Sequence, residues 1–232
     1  MKNILLIGGS YGIGLAIAKE LQYENKVFIA SRTNENLTDL HITHIPFDAT
    51  TDTLDTALLP EVIDGLVYCP GSINLRPFRG LKPESFEADL QINFINLVKV
   101  IQTILPNLTA SNQSSIILFS SVAASMGMPF HTSVAAAKGA IEGFAKALAA
   151  EYAPKIRVNV IAPSLTDTPL ADKFLNNDIK REKSAERHPL KRVGTSEDMA
   201  QMASFLLSEK SSWISGQIFH VDGGMSTLLV NG

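Results

Sequence analysis

One cysteine, one tryptophan and a charged fraction of 19% are what this 232-residue chain has least of, and each scarcity excludes something. A lone Cys69 forbids an intramolecular disulfide and fits a reducing compartment. Set in an apolar stretch, it reads as a packed thiol rather than a nucleophile. Basic residues nowhere form a dense run, and 20 Lys+Arg against 23 Asp+Glu leave a net charge of −3. Nucleic-acid binding, which draws on concentrated positive charge, is therefore not expected. No uncharged apolar stretch reaches about 18 residues, and Ile4-Leu5-Leu6-Ile7 ahead of Gly8 is too short for a signal core. The expectation is a soluble, cytoplasmic protein without a membrane partner. Charge below the usual quarter of residues points to some surface covered by further copies of the chain.

What is present is enough apolar sequence for a large core: 45% hydrophobic residues, and a length at which about 70% of the surface can be buried without disulfide or metal. Short apolar runs alternate with longer helical patterns, the mark of a parallel sheet covered by helices. Strands are predicted at Asn3–Ile7, Lys26–Ala30, His41–Pro46, Gly65–Cys69, Ser115–Ser120, Arg157–Ala162 and Gln217–Val221. Helices are predicted near Gly12–Tyr23, Pro83–Leu105, Thr132–Tyr152 and Ser196–Leu207. The fold class that follows is a single doubly wound α/β domain of Rossmann type over 1–232, with a central parallel sheet of about seven strands. The polar, charge-rich stretch from Ser164 to Gly194 breaks the alternation. A connection that long inside a compact domain is usually functional, and here it reads as a lid over a site, lining the substrate pocket together with the loop from Ser72 to Gly80.

The first predicted strand runs straight into Gly8-Gly9-Ser10-Tyr11-Gly12-Ile13-Gly14, and a helical pattern follows. Glycines let the backbone turn tightly and approach a pyrophosphate, while the helix N-terminus offers free N–H groups and a positive dipole end. A glycine-rich loop alone is a weak signal; between a first strand and a first helix it indicates a dinucleotide. The second strand ends in Ser31-Arg32, with no acid until Glu35. A carboxylate there would suit the ribose of NAD, whereas Arg32 can pair with a 2′-phosphate and Ser31 can donate to it. NADP(H) is the expected cofactor. His41 and His44 fall in a strand pattern and point to opposite faces, so no metal is assigned.

These residues resemble the short-chain dehydrogenase/reductase family over nearly the whole chain. Gly8, Gly12 and Gly14 match its glycine motif, with Ile7 where a threonine is usual. Asp48 matches the aspartate that meets adenine. Tyr68-Cys69-Pro70-Gly71 keeps only the glycine of the strand-4 motif. Asn93 and Ser121 match the family's catalytic asparagine and serine. Arg157-Val158-Asn159-Val160-Ile161-Ala162-Pro163 looks like the strand-6 motif, with Ser164 replacing a glycine. Thr168 matches the threonine that meets the nicotinamide carboxamide. Leu190–Gly194 and Val221–Gly224 resemble the family's C-terminal signatures. The resemblance implies a cofactor held by Gly8, Ser10, Tyr11, Gly12, Ile13, Gly14, Ser31, Arg32, Asp48, Gly71, Lys138, Pro163, Leu165 and Thr168. It also implies a homo-oligomer, tetramer or dimer, for which Ala135, Ala136, Gly139 and Ala140 offer a small-residue surface.

The departure lies thirteen residues after Ser121. There the family carries Tyr-x-x-x-Lys, and this chain carries Val134-Ala135-Ala136-Ala137-Lys138. The lysine stays and the phenol is gone. Reduction of a ketone needs a proton donor, and general acid–base help contributes about 10²–10⁴-fold; valine supplies none. His131, three residues earlier, is the substitute considered, against a plain packing role at the start of the helix. Thr132 and Ser133 read as helix caps. The leading expectation is an NADP-dependent oxidoreductase acting on a small carbonyl or alcohol substrate through Asn93, Ser121, Lys138 and His131. Its rivals are an NADP(H)-binding sensor or scaffold without turnover, and a lyase or isomerase that uses the same pocket.

Overall fold

Runs such as Ile4-Leu5-Leu6-Ile7 show no polar alternation because both faces of their strand are covered. In the computed structural model, which describes residues 1–230, Leu5 and Ile7 pack on one side of the sheet and Ile4 and Leu6 on the other. The strands are β1 (Asn3–Ile7), β2 (Lys26–Ser31), β3 (Ile42–Pro46), β4 (Gly65–Tyr68), β5 (Ser114–Phe119), β6 (Ile156–Pro163) and β7 (Ile218–Val221). They form one parallel sheet in the order β3-β2-β1-β4-β5-β6-β7.

The helices are α1 (Gly12–Leu21), α2 (Pro83–Leu90), α3 (Asn96–Ala110), α4 (Thr132–Tyr152), α5 (Asp172–Leu175), α6 (Asp178–Glu186) and α7 (Ser196–Leu207). Leu97, Val100, Ile101 and Ile104 of α3 and Ile141, Ala145 and Leu148 of α4 cover one face. Ile17 and Leu21 of α1 and Met199, Ala203 and Leu206 of α7 cover the other. The chain is thus a single Rossmann-like α/β domain. Its strand order reverses between β1 and β4, and in open parallel sheets the crevice at the strands' carboxyl ends there is the ligand site. Among the described residues, no helix is long and apolar enough to cross a membrane.

Two expectations need correction. The helix read as continuous over Pro83–Leu105 is two helices joined by a π-turn, Gln91–Ile95, and it runs on to Ala110. Hydrophobic spacing does not reveal a widened turn, and Pro106, tolerated inside α3, looks like a stop in sequence. The stretch Ser164–Gly194, which gave no regular pattern, holds α5 and α6. Lys180-Arg181-Glu182-Lys183, whose mixed signs read as a solvated helix face in the sequence, lies on α6.

One buried cation ties the far edge together. The Arg157 guanidinium on β6 donates to the carbonyls of Leu206 (3.0 Å), Ser211 (3.0 Å) and Ile214 (3.2 Å), joining the end of α7 to the sheet. Burial lowers its pKa, Glu209 opposing; these carbonyls compensate the charge in place of a carboxylate. Arg157→Leu should leave them without their donor and cost roughly 2–4 kcal/mol. At about 2–4 °C per kcal/mol for a chain of this size, calorimetry should show a melting temperature lower by about 5–15 °C. A loss under about 2 °C would mean that the carbonyls find other donors.

Candidate functional site

The turn from β1 to α1 is built on contact. A Cβ on Gly14 would sit 2.2 Å from the Gly8 carbonyl oxygen, so only glycine lets the helix start this close to the strand. Gly8 itself has φ +77°. Tyr11 caps α1 without a side-chain hydrogen bond, and no acid stands in its first turn. The first N–H groups of the helix therefore face a crevice without a side-chain acceptor at the cap, which suits an anion. Around this turn, Thr33 Oγ1 donates to Ser10 Oγ (3.0 Å) and Asn36 Nδ2 to the Ser10 carbonyl (2.9 Å). Sequence reasoning missed both residues, although both stand close after Arg32.

The crevice is lined by Gly8, Ser10, Tyr11, Gly12, Ile13 and Gly14, then by Ser31, Arg32, Asp48, Gly71 and Thr168. Arg32 Nη2 lies 3.5 Å from Tyr11 Oη at the exposed rim. The Ser31 hydroxyl is committed instead to the Thr33 carbonyl at 2.8 Å, with His44 Nε2 3.2 Å away. Ser31 is thus a support for the loop rather than a free donor. Asp48 accepts from the Thr50 hydroxyl (2.7 Å) and N–H (2.9 Å). Those bonds, with a smaller contribution from Arg32, hold its carboxyl below the usual carboxylate range against desolvation.

A second cavity, of about 600 Å³, opens beside the first. Ile13, Cys69, Gly71, Thr168 and Leu170 line both, so the two form one continuous cleft. Ser121, His131, Val134, Lys138, Pro163 and Leu165 line the second. Asn93 sits in the π-turn, fully buried. Its Nδ2 donates to the Asp89 carbonyl (2.8 Å) and to Ser72 Oγ (2.9 Å). A π-turn shifts backbone bonding from i−4 to i−5, and here the Asn96 N–H reaches the Gln91 carbonyl in that way. Asn93 and Lys138 converge on Gly71: a Cβ there would lie 3.0 Å from Asn93 Oδ1 and 3.3 Å from Lys138 Nζ.

Lys138 Nζ donates to the Phe119 carbonyl at 2.9 Å. Burial pulls its pKa down to about 8, with Cys69 and Asp89 opposing. Burial pushes the Cys69 thiol up to about 12, with Lys138 opposing; the sequence placed this thiol in the core, and it also lines the cleft. Ser121 accepts from the Ala123 N–H at 3.2 Å and faces the cavity. Its neighbour Ser120 donates to Glu142 Oε1 of α4 at 2.6 Å. His131 is itself the cap residue of α4, so neither Thr132 nor Ser133 caps that helix. A carbonyl can only accept, so the 2.7 Å contact of His131 Nδ1 with the Pro129 oxygen fixes the proton on Nδ1.

Sequence reasoning missed Asp89; Ser72 lies in the Ser72–Gly80 loop expected to line the pocket, and it does line the cavity. The buried Asp89 carboxylate accepts from Ser72 Oγ (2.6 Å) and Asn74 Nδ2 (2.7 Å), and its other oxygen has no partner among the described residues. The available signal was spacing: Asp89 precedes Asn93 by four residues, one helical turn.

Comparison with known proteins gives concordant findings. The enoyl-(acyl carrier protein) reductase family matches residues 8–226. A 3-oxoacyl-[acyl-carrier-protein] reductase from Thermotoga maritima is 31% identical over 241 residues, covering 97% of each chain. The aldohexose dehydrogenase of Thermoplasma acidophilum superposes with a TM-score of 0.89 at 26% identity, over 100% of this chain and 96% of that one. A gluconate 5-dehydrogenase from Burkholderia cenocepacia, in complex with NADP and tartrate, gives 0.88 at 25% identity, over 98% and 96%.

The buried lysine makes a pH prediction. Lys138 titrates near 10.5 when exposed and near 8 in the fold. Between those values the unfolded chain holds the extra proton, so stability rises with pH across that window. Below pH 8 the cost of burying the ammonium is fully present. Urea unfolding of the native protein and of Lys138→Met from pH 7.5 to 10.5 should show a difference that shifts toward the native protein by about 2–3 kcal/mol. A difference constant with pH would refute the depressed value.

Proposed function

The chain belongs to the short-chain dehydrogenase/reductase family of oxidoreductases, and we propose that it is an NADP-dependent member acting on a small carbonyl or alcohol substrate through a site in which Val134 stands where the family has its tyrosine. The observation that carries this reading is the continuous cleft. One end is the uncapped start of α1 with Arg32 at its rim, and the other holds Ser121, Val134 and Lys138. The crevice fits a dinucleotide because Gly14 leaves the space a Cβ would fill and the helix end leaves N–H groups for a pyrophosphate. In this reading Arg32 pairs with the 2′-phosphate, Asp48 meets the adenine, and Thr168, Pro163 and Leu165 border the nicotinamide. Bound NADPH supplies a hydride; the residues of the chain do the rest.

Ser121 donates a hydrogen bond to the substrate carbonyl oxygen, where negative charge develops during reduction. Lys138, a cation with a pKa near 8, favours the same charge and holds the nicotinamide ribose. Asn93 positions Ser72 and the floor of the cavity. Val134 neither donates nor accepts, so the proton comes from His131 or from water. With its Nδ1 proton held by the Pro129 carbonyl, His131 can give a proton from Nε2 only as the imidazolium. Ser164–Gly194 acts as the lid, and the protein works as a cytoplasmic homo-oligomer, tetramer or dimer, with α4 as one candidate contact. Val134 also favours a second reading, a protein that binds NADP(H) without turning over substrate.

Calorimetry should show tighter binding of NADPH than of NADH. Arg32→Ala should remove most of the difference, on the order of 1.5–3 kcal/mol. Equal affinities in the native protein would exclude the 2′-phosphate assignment.

Restoring the phenol tests the chemistry. Val134→Tyr should raise NADPH-dependent reduction of activated ketones or diketones at least about tenfold, the low side of an acid–base contribution because the buried site must admit a larger side chain. His131→Ala should abolish native activity if His131 is the acid and barely change it otherwise. A folded, NADPH-binding Val134→Tyr that reduces nothing, beside an inert native protein, would favour the second reading.

A further inference from the structure

Helix α6 forms one wall of the larger cavity, and it is turned inside out relative to an ordinary surface helix. Its apolar Ile179 is 78% exposed. The residues it turns to the cavity, continuing one turn past its end, are Lys180, Lys183, Ser184, Arg187 and His188. Spacings of three and four residues put these on one stripe. Asp178, Glu182 and Glu186 fall on the other side of the helix. Asp178 and Asp172 instead act on Arg181, which is bridged to Asp167 at 2.6 Å and does not line the cavity. Charge is therefore sorted by sign across the helix.

The opposite walls do not restore the balance. Lys173 and Lys138 also line the cavity, and among the described residues no Asp or Glu does. Lys173 and Lys180 are held by carbonyl oxygens, of Ile73 (2.9 Å) and Lys173 (3.0 Å), and Lys180 also by Asn176 Oδ1. Among the described residues, neither Lys183 nor Arg187 has an ion-pair partner. A cavity walled by one sign of charge concentrates counter-charge and raises the local density of an oppositely charged ligand. Of the remaining lining, Met128, Val134, Phe174 and Met225 are apolar, and Ser72, Ser121, Ser164 and Thr166 are polar without a formal charge.

We propose that the cavity takes a small anionic substrate, whose carboxylate or phosphate is held by Lys183 and Arg187 of the lid while its carbonyl or alcohol carbon lies at Ser121 and Lys138. The proposal rests on the oxidoreductase reading for the second half of that sentence and on the cavity wall for the first. An uncharged substrate would gain nothing from those cations, so the wall favours an anion over it.

The test uses the full-length protein, with and without saturating NADPH, titrated calorimetrically with succinate, inorganic phosphate and neutral dimethyl succinate. Succinate or phosphate should bind, dimethyl succinate should bind at least about tenfold more weakly, and added salt should weaken the anion alone. Whichever anion binds identifies the group. The double variant Lys183→Gln, Arg187→Gln should lower anion affinity at least about tenfold. Glu182→Gln, on the outer side of α6, should leave it unchanged, and NADPH affinity should move less than about twofold in either. Equal binding of charged and neutral probes, no anion binding at all, or anion affinity unchanged in the double variant overturns the proposal. Anion binding lost in the double variant from a protein that does not bind NADPH would instead uphold the anion site and remove the oxidoreductase reading.

Discussion

Everything in the cleft depends on how closely α1 approaches the end of β1. Gly14 lies against the Gly8 carbonyl so tightly that a single methyl group would force the two apart. That contact aims the helix's free N–H groups into the crevice at the carboxyl edge of the sheet. It also lies next to the place where the strand order reverses between β1 and β4. The β4 strand then leads into Gly71, which lines both halves of the cleft. The two halves of the cleft share a wall because the sheet divides there.

The second half of the site is an exercise in keeping polar groups inside. Lys138, Asn93 and Asp89 are all buried, and burial without partners is costly. Lys138 is held by the Phe119 carbonyl, and Asn93 by Ser72 and Asp89. The π-turn lets Asn93 reach its partners from a helix that otherwise packs an apolar face on the sheet. In such a network Val134 is conspicuous. It lies buried in the cavity wall one helical turn before Lys138, and nothing in its side chain can exchange a proton. In the proposed reduction the proton therefore comes from elsewhere than position 134.

The electrostatics divide the cleft in two. The smaller crevice is lined by both Arg32 and Asp48, and Arg32 helps hold the Asp48 carboxyl ionised. The reaction cavity carries cations alone. Helix α6 accounts for the difference, since its acids Asp178, Glu182 and Glu186 fall on the outer side while Lys180 and Lys183 line the cavity. A stretch that looks like mixed, solvated charge in the sequence is sorted by sign once it is coiled.

How much could be read from the chain alone follows the same physics. Alternating apolar runs determined the seven strands to within about a residue or two, because both faces of a parallel sheet must be apolar whatever surrounds it. The glycine loop, Arg32 after β2, and the Ser121, Val134 and Lys138 spacing were legible too, since each is a local pattern. Only the tertiary structure decided the rest. The π-turn around Asn93 leaves no periodic trace. Ser31 turned out to hold Thr33 rather than face the crevice freely, because a hydroxyl takes whichever carbonyl folding brings near. Asp89, Ser72 and Asn93 are separated by up to 21 residues and meet only when the end of α2 and the π-turn close on the segment that follows β4. The sign of the cavity wall was settled last, by the rotation of α6 about its own axis, which no order of residues states by itself.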